Sequence, residues 1–212
     1  MKEFLHQFKM IFSSSPNKTI FLAALILLIA FFLRIHKLED FNFNWDEAWS
    51  NWIVQLPYEQ MIETTAKDVH PPLYYQLLRI SQNLIGRGEF VNRYPSALLG
   101  LLTVALTFNL GTKIAGRKVG LLAAFMMTIS RANIDIAQLS RMHVLATAFA
   151  TLALSMTISI WNKTRVSNTA NYIISISGAL YSFYLAIMLP VATNMATAIV
   201  WFRKKYSNFS LK

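Results

Sequence analysis

Two adjacent carboxylates, Asp46 and Glu47, stand among tryptophans in the segment Asn44-Trp45-Asp46-Glu47-Ala48-Trp49. About two dozen residues later the chain reads His70-Pro71-Pro72-Leu73-Tyr74. Neighbouring side chains on a helix diverge by about 100°. One carboxylate can therefore face a cavity while the other binds a backbone, a metal or an arginine. A carboxylate partly desolvated at a membrane surface becomes more basic, which suits a general base acting on a hydroxyl. Asp46 is also of the right type to cap the tryptophan-bearing helix, and the two roles are compatible. His70 precedes two prolines, whose restriction of the backbone holds the imidazole in one direction; the same feature serves equally as a rigid helix entry. Arg93, Arg131 and Arg141 stand at or beside the starts of apolar runs. Each alone suits anchoring a helix end at the interface, but several on one face with Asp46 could hold a phosphate bidentately. Asp135 is placed to pair with Arg131 or Arg141. No metal-ligand spacing, glycine-rich phosphate loop or Ser/His/Asp arrangement is present. No metal site is assigned, although Asp46, Glu47 and His70 could contribute ligands to a divalent metal.

The elements that must carry these residues are membrane helices. The 212 residues are 55% hydrophobic and only 14% charged, against about 25% charged in soluble domains. Cysteine is absent, so nothing is learned of redox compartment. The net charge of +10 does not point to nucleic acid, because lysine and arginine gather at the ends of apolar runs, where topology signals stand. A spanning helix needs roughly 20 apolar residues. The expected fold is an all-α polytopic bundle of about six spans, over 18–35, 94–112, 119–133, 142–161, 170–187 and 188–202, with Pro190 marking the junction of the last two. Lys2, Lys9 and Lys18 precede a first run that ends Phe31-Phe32-Leu33-Arg34 without a small-residue cleavage site, as in an uncleaved signal anchor. With the N-terminus cytoplasmic, the basic clusters Lys113–Lys118, Lys163–Arg165 and Arg203–Lys205 all fall inside the cell and the 36–92 loop falls outside. That loop holds eight of the ten acidic residues. Within it, Trp45, Trp49, Trp52 and Leu56 share a helical face up to Pro57, and Leu73, Leu77, Ile80 and Leu84 share another. Both stretches are expected to be amphipathic interfacial helices.

Four motifs in this order resemble the C-type (GT-C) integral-membrane glycosyltransferases. They are the Asp46-Glu47 pair after the first span, His70-Pro71-Pro72-Leu73-Tyr74, Asn92-Arg93-Tyr94-Pro95-Ser96-Ala97-Leu98-Leu99-Gly100, and Ser140-Arg141 opening a later span. Within that class the chain resembles the protein O-mannosyltransferase, lipid A aminoarabinose transferase and RgtA/B/C/D-like group, over roughly residues 18 to 165. The resemblance implies a polyprenyl-phosphate-linked sugar donor in the lipid bilayer and inverting transfer of a monosaccharide to an unidentified acceptor at the outer face. Asp46 matches the family's acidic catalytic position and Glu47 its neighbour. His70, Arg93 and Arg141 match residues of the substrate site, the two arginines stabilising the departing lipid phosphate while Asp46 takes the proton of the acceptor hydroxyl. Such enzymes carry more spans than six. The chain is therefore expected to hold the N-terminal half, with a second polypeptide as a candidate source of the remaining spans. The alternative is a non-catalytic remnant or accessory subunit.

Overall fold

The structure, a computed structural model, describes residues 16–209. Lys2 and Lys9 lie outside the described residues, as do the side chains of Arg203, Lys204 and Lys205. The helices are α1 (Pro16–Ile35), α2 (Trp45–Ile53), α3 (Tyr58–Lys67), α4 (Leu73–Ile85), α5 (Glu89–Ala115), α6 (Arg117–Ile129), α7 (Arg131–Ala137), α8 (His143–Asn162), α9 (Val166–Ser182) and α10 (Met188–Phe209), with a 3-10 turn at Tyr184–Ile187. No strand occurs among the described residues, and the expected all-α polytopic bundle is what the chain forms.

Helix α5 is the central post and packs against α1, α4, α6, α7 and α8. Small residues let its neighbours approach, as membrane helices without a hydrophobic drive between them require. Gly111 of α5 faces Gly120 of α6, and Gly100 faces Ala137 and the stem of Arg34. Arg34, near the end of α1, is wholly buried. Its guanidinium donates to Ala30 O at 3.0 Å, Asn133 Oδ1 at 2.6 Å and Met127 O at 3.3 Å, tying α1 to α6 and α7. Gln138 in turn donates to the carbonyls of Leu33 and His36 at 3.2 and 2.9 Å, satisfying acceptors where α1 stops.

Among the described residues, four helical stretches are long and apolar enough to cross a bilayer: Asn17–Ile35, Glu89–Ala115, His143–Asn162 and Tyr184–Phe202. A fifth crossing results if α6 and α7, bent by 64° at a short break, count as one. The stretch expected as a single span over 119–133 is thus a broken one, interrupted at Ser130, which is extended at φ −64°, ψ 113°. Helix α9 has 17 residues, about 26 Å of rise against a hydrocarbon core of about 30 Å. The junction expected at Pro190 falls earlier, at Phe183–Ile187. Pro190 is in the first turn of α10, where a missing N–H breaks no intrahelical bond.

The loop between α1 and α5 is three helices rather than two. The tryptophan helix ends at Ile53, short of Leu56 and of Pro57, where its end was expected, and Pro57 instead starts α3, whose few apolar residues stand among polar ones. On α4 the buried face is Tyr74, Tyr75, Leu78, Ser81 and Gln82, whereas Ile80 and Leu84 are exposed. The apolar face recognised by its spacing points outward and the more polar one inward.

A Cβ on Gly120 would meet the Thr112 hydroxyl, the Phe108 carbonyl oxygen at 2.6 Å and the Thr112 backbone nitrogen at 3.0 Å. Backbone atoms cannot swing away. Gly120→Ala is therefore expected to cost at least about 1–3 kcal/mol, read as a lower unfolding midpoint of the detergent-solubilised chain.

Candidate active site

Asn44, not Asp46, caps α2. Its side chain accepts from Glu47 N at 2.9 Å while Glu47 Oε2 accepts from Asn44 N at 3.3 Å, a reciprocal capping box. This box fixes where the helix starts, and the start fixes which way each acid faces. Glu47 points inward and is 1% exposed. Asp46, one residue earlier and about 100° away, has a side chain 66% exposed.

Inward, Glu47 meets Arg93 of α5 in a two-point pair. Arg93 Nε donates to Oε1 and Nη2 to Oε2, both at 2.8 Å. The remaining Arg93 hydrogens go to backbone: Nη1 donates to Leu38 O and Phe41 O at 2.8 Å each, and Nη2 to Asn42 O at 3.3 Å. A guanidinium has five N–H donors, and all five are engaged. Glu47 Oε1 also accepts from the backbone N–H of Ser140 at 3.0 Å. Burial pushes the Glu47 carboxyl up, but the Arg93 hydrogen bonds and charge, with the Ser140 and Asn44 N–H groups, hold it below the usual carboxylate range.

Outward lies a second cluster. Arg141, 7% exposed at its side chain, has Nη2 3.9 Å from Asp46 Oδ2, and its Nη1 donates to Asp46 O at 3.1 Å and to Ser50 Oγ at 3.2 Å. Its Nε is buried without a hydrogen-bond partner, as are the Tyr75 hydroxyl and Ser140 Oγ. Burial pushes the Tyr75 phenol up to about 12, against the influence of Arg141, so at neutral pH it is a hydrogen-bond donor and not a base. The Tyr75 hydroxyl lies close enough to the Arg141 guanidinium to feel its hydrogen-bonding as well as its charge, short of a well-formed hydrogen bond, and Asp68 and Asp46 are within electrostatic range. His143 is within range of Arg141, His70 and Asp46, and its ring stands edge-on to Phe183. His70 Nδ1 is 3.2 Å from Asp68 Oδ2.

The expected residues thus separate into two groups. Asp46 and Arg141 are direct neighbours, and His70 shares with them the electrostatic surroundings of His143; Glu47 and Arg93 pair with each other, on the inner side of α2. Arg131 is exposed and pairs with Asp135 at 2.7 Å. Asp68, Tyr75 and His143 join the cluster without having been singled out in the sequence. The available signals were that Asp68 stands two residues before His70 and His143 two after Arg141. Among the described residues no group of three or more His, Asp or Glu side chains could hold a metal ion. A cavity of about 600 Å³ opens on the Glu47–Arg93 side, bounded by His36, Lys37, Phe41, Arg131 and Gln138.

The frame around the site is polar and satisfied. Gln82 Nε2 donates to Asn51 Oδ1 at 2.9 Å and Asn92 Oδ1 at 2.8 Å, and Asn92 Nδ2 donates to Asn51 Oδ1 at 2.9 Å. These amides lock α2, α4 and α5 together. Tyr74 and Ser96 share a 2.8 Å hydroxyl contact between α4 and α5, and Arg79 donates to the carbonyls of Val54 and Leu56 at the end of α2.

A family model described as dolichyl-phosphate-mannose-protein mannosyltransferase matches residues 69–210, more than half of the chain. No curated protein and no solved structure matches it.

Glu47→Gln leaves Arg93 buried and short of its counter-charge, which is expected to cost about 3–5 kcal/mol, read by chemical unfolding in detergent. The wild type should also carry a pH signature. A depressed carboxyl adds stability that is complete above its ordinary value and is lost as pH falls through the depressed one. Stability should therefore decline below about pH 4 in the wild type, and by less in Glu47→Gln.

Proposed function

The chain belongs to the dolichyl-phosphate-mannose-protein mannosyltransferase family, and from that premise we propose that it transfers a monosaccharide from a polyprenyl-phosphate donor to a hydroxyl acceptor at the outer face of the cell membrane. It does so as a GT-C enzyme. Asp46 is the general base. The acceptor oxygen bonds to the anomeric carbon as its proton passes to Asp46, and the bond from that carbon to the phosphate oxygen breaks in line, inverting the centre. Negative charge grows on the departing lipid phosphate, where Arg141 is the stabilising cation. His70 binds substrate. Glu47 and Arg93 hold the site together and touch no reacting atom.

The observation that carries this reading is the different fate of two neighbouring acids. Glu47 is buried and fully paired, while Asp46 is exposed beside an arginine with an unused Nε–H. A solvent-open carboxylate beside a largely buried guanidinium whose donors are not all used is the pairing that supports sugar transfer from a phosphate. Arg93 was expected to share the phosphate, but its five engaged hydrogens favour a structural role.

The orientation proposed is a cytoplasmic N-terminus with the 36–92 loop outside. The Ser140–Glu47 and Arg93–Glu47 bonds support it, because they require the loop, the start of α5 and the start of α8 to share one membrane face. Lys113 supports the same assignment at the other face, bonding Ser155 and Ser159 near the far end of α8 at 2.8 Å each. The basic residues 113–118 and 163–165 then lie inside, as charge placement favours.

Transfer from polyprenyl-phosphate mannose in membranes containing the chain is expected to fall at least 100-fold in Asp46→Asn, roughly the lower bound for losing a positioned base. In Arg141→Lys, which loses the planar fork, it should fall by about 10²–10³. Full activity in Asp46→Asn would remove Asp46 as the base.

A further inference from the structure

Asp68 is placed within the site, yet the steps above give it no role. Its carboxylate is fixed by two bonds that differ in kind: Oδ1 accepts the Val69 N–H at 2.7 Å, immediately after α3 ends, and Oδ2 lies 3.2 Å from His70 Nδ1. The His70 backbone is restricted in turn by the proline that follows it. Proline therefore holds the imidazole at its root, and a carboxylate that is itself held fixes its ring. Both side chains remain reachable, at 20% and 21% exposed. Asp68 and His70 lie within electrostatic range of the same groups as Asp46 and Arg141.

Hydrogen-bond chemistry decides what such a pair can do. An ionised carboxylate only accepts, so the hydrogen between the two must sit on Nδ1. In a neutral ring Nε2 is then an acceptor. A phosphate oxygen bears no hydrogen for Nε2 to receive, whereas a sugar hydroxyl does. We propose that Asp68 is a positioning residue that fixes His70 in its Nδ1-protonated form, so that Nε2 accepts a hydrogen bond from a hydroxyl of the donor sugar. This rests on the sugar-transfer reading, and the two can fail separately.

Asp68→Asn is the discriminating change. The Val69 N–H still requires an oxygen, so the new amide turns its NH2 toward Nδ1. That forces the ring hydrogen onto Nε2, where it blocks acceptance, with little reason for the fold to change. Two measurements on the full chain in detergent follow. The first is ¹⁵N NMR of histidine-labelled protein at alkaline pH, with His70→Gln to assign the signal. The expected result is an Nδ1-protonated His70 in the wild type and an Nε2-protonated one in Asp68→Asn. The second is kinetics with polyprenyl-phosphate mannose, in which KM for the donor is expected to rise about tenfold, the loss of one good hydrogen bond, with kcat changed far less. An Nε2-protonated His70 in the wild type, or an unchanged tautomer in Asp68→Asn, overturns the proposal. So does a tautomer that changes while donor KM stays put. A wild type that never uses the donor sinks the sugar-transfer reading instead, and the NMR result still stands by itself.

Discussion

The pair between Arg93 and Glu47 is the constraint on which the rest of the site depends. Burying two charges costs several kcal/mol each unless every hydrogen-bonding position is filled. Here every one of the arginine hydrogens has an acceptor, and the carboxylate takes two further backbone N–H groups. Those partners come from four places in the chain: the irregular segment after α1, the start of α2, the early part of α5, and the turn before α8. One interaction therefore fixes the distances among all four. The amide network of Asn51, Gln82 and Asn92 adds α4 to the same frame.

The placement of Asp46 follows from that frame. With Glu47 anchored inward, helical geometry turns the preceding residue outward, and the anchored Ser140 brings Arg141 to the same side. Two acids adjacent in sequence thus acquire opposite characters through environment alone. One is desolvated and neutralised, the other solvated and beside an arginine whose hydrogen-bonding capacity is partly unused. The orphaned Arg141 Nε, Tyr75 hydroxyl and Ser140 Oγ are unfavourable in isolation, by about 1–3 kcal/mol each. Such groups concentrate where a structure is arranged to receive something polar.

Much of the architecture was legible in the sequence, because long apolar runs have few alternatives. The starts of α5 and α8 fell within a few residues of where composition put them. Breaks inside apolar stretches were less legible. Ser130 and Phe183 interrupt helices without a proline at the break, and Pro190 misled because a proline in a first turn interrupts nothing. Helix α3 was missed because Tyr58, Met61 and Ile62, though at helical spacing, are few apolar residues among polar ones. The acids, His70 and Arg141 could be singled out by residue type and neighbourhood, and so could the possibility that one acid binds an arginine. Which arginine could not be read, since the acceptors that saturate Arg93 are backbone carbonyls of Leu38, Phe41 and Asn42, and main-chain acceptors leave no mark in sequence. The contribution of Tyr75 was hidden by its place on the inward face of α4, whose outward face carried the stronger apolar pattern.

A double-mutant cycle on Glu47 and Arg93, read as unfolding free energy in detergent, tests most directly whether this pair organises the site. If the two side chains act as one unit, removing both should cost far less than the sum of removing each, with a coupling energy near the upper end of the roughly 0.5–3 kcal/mol range for contacting residues. Costs that simply add, to within about 0.5 kcal/mol, would mean that the pair does not hold the loop to the bundle and that Asp46 is placed by something else.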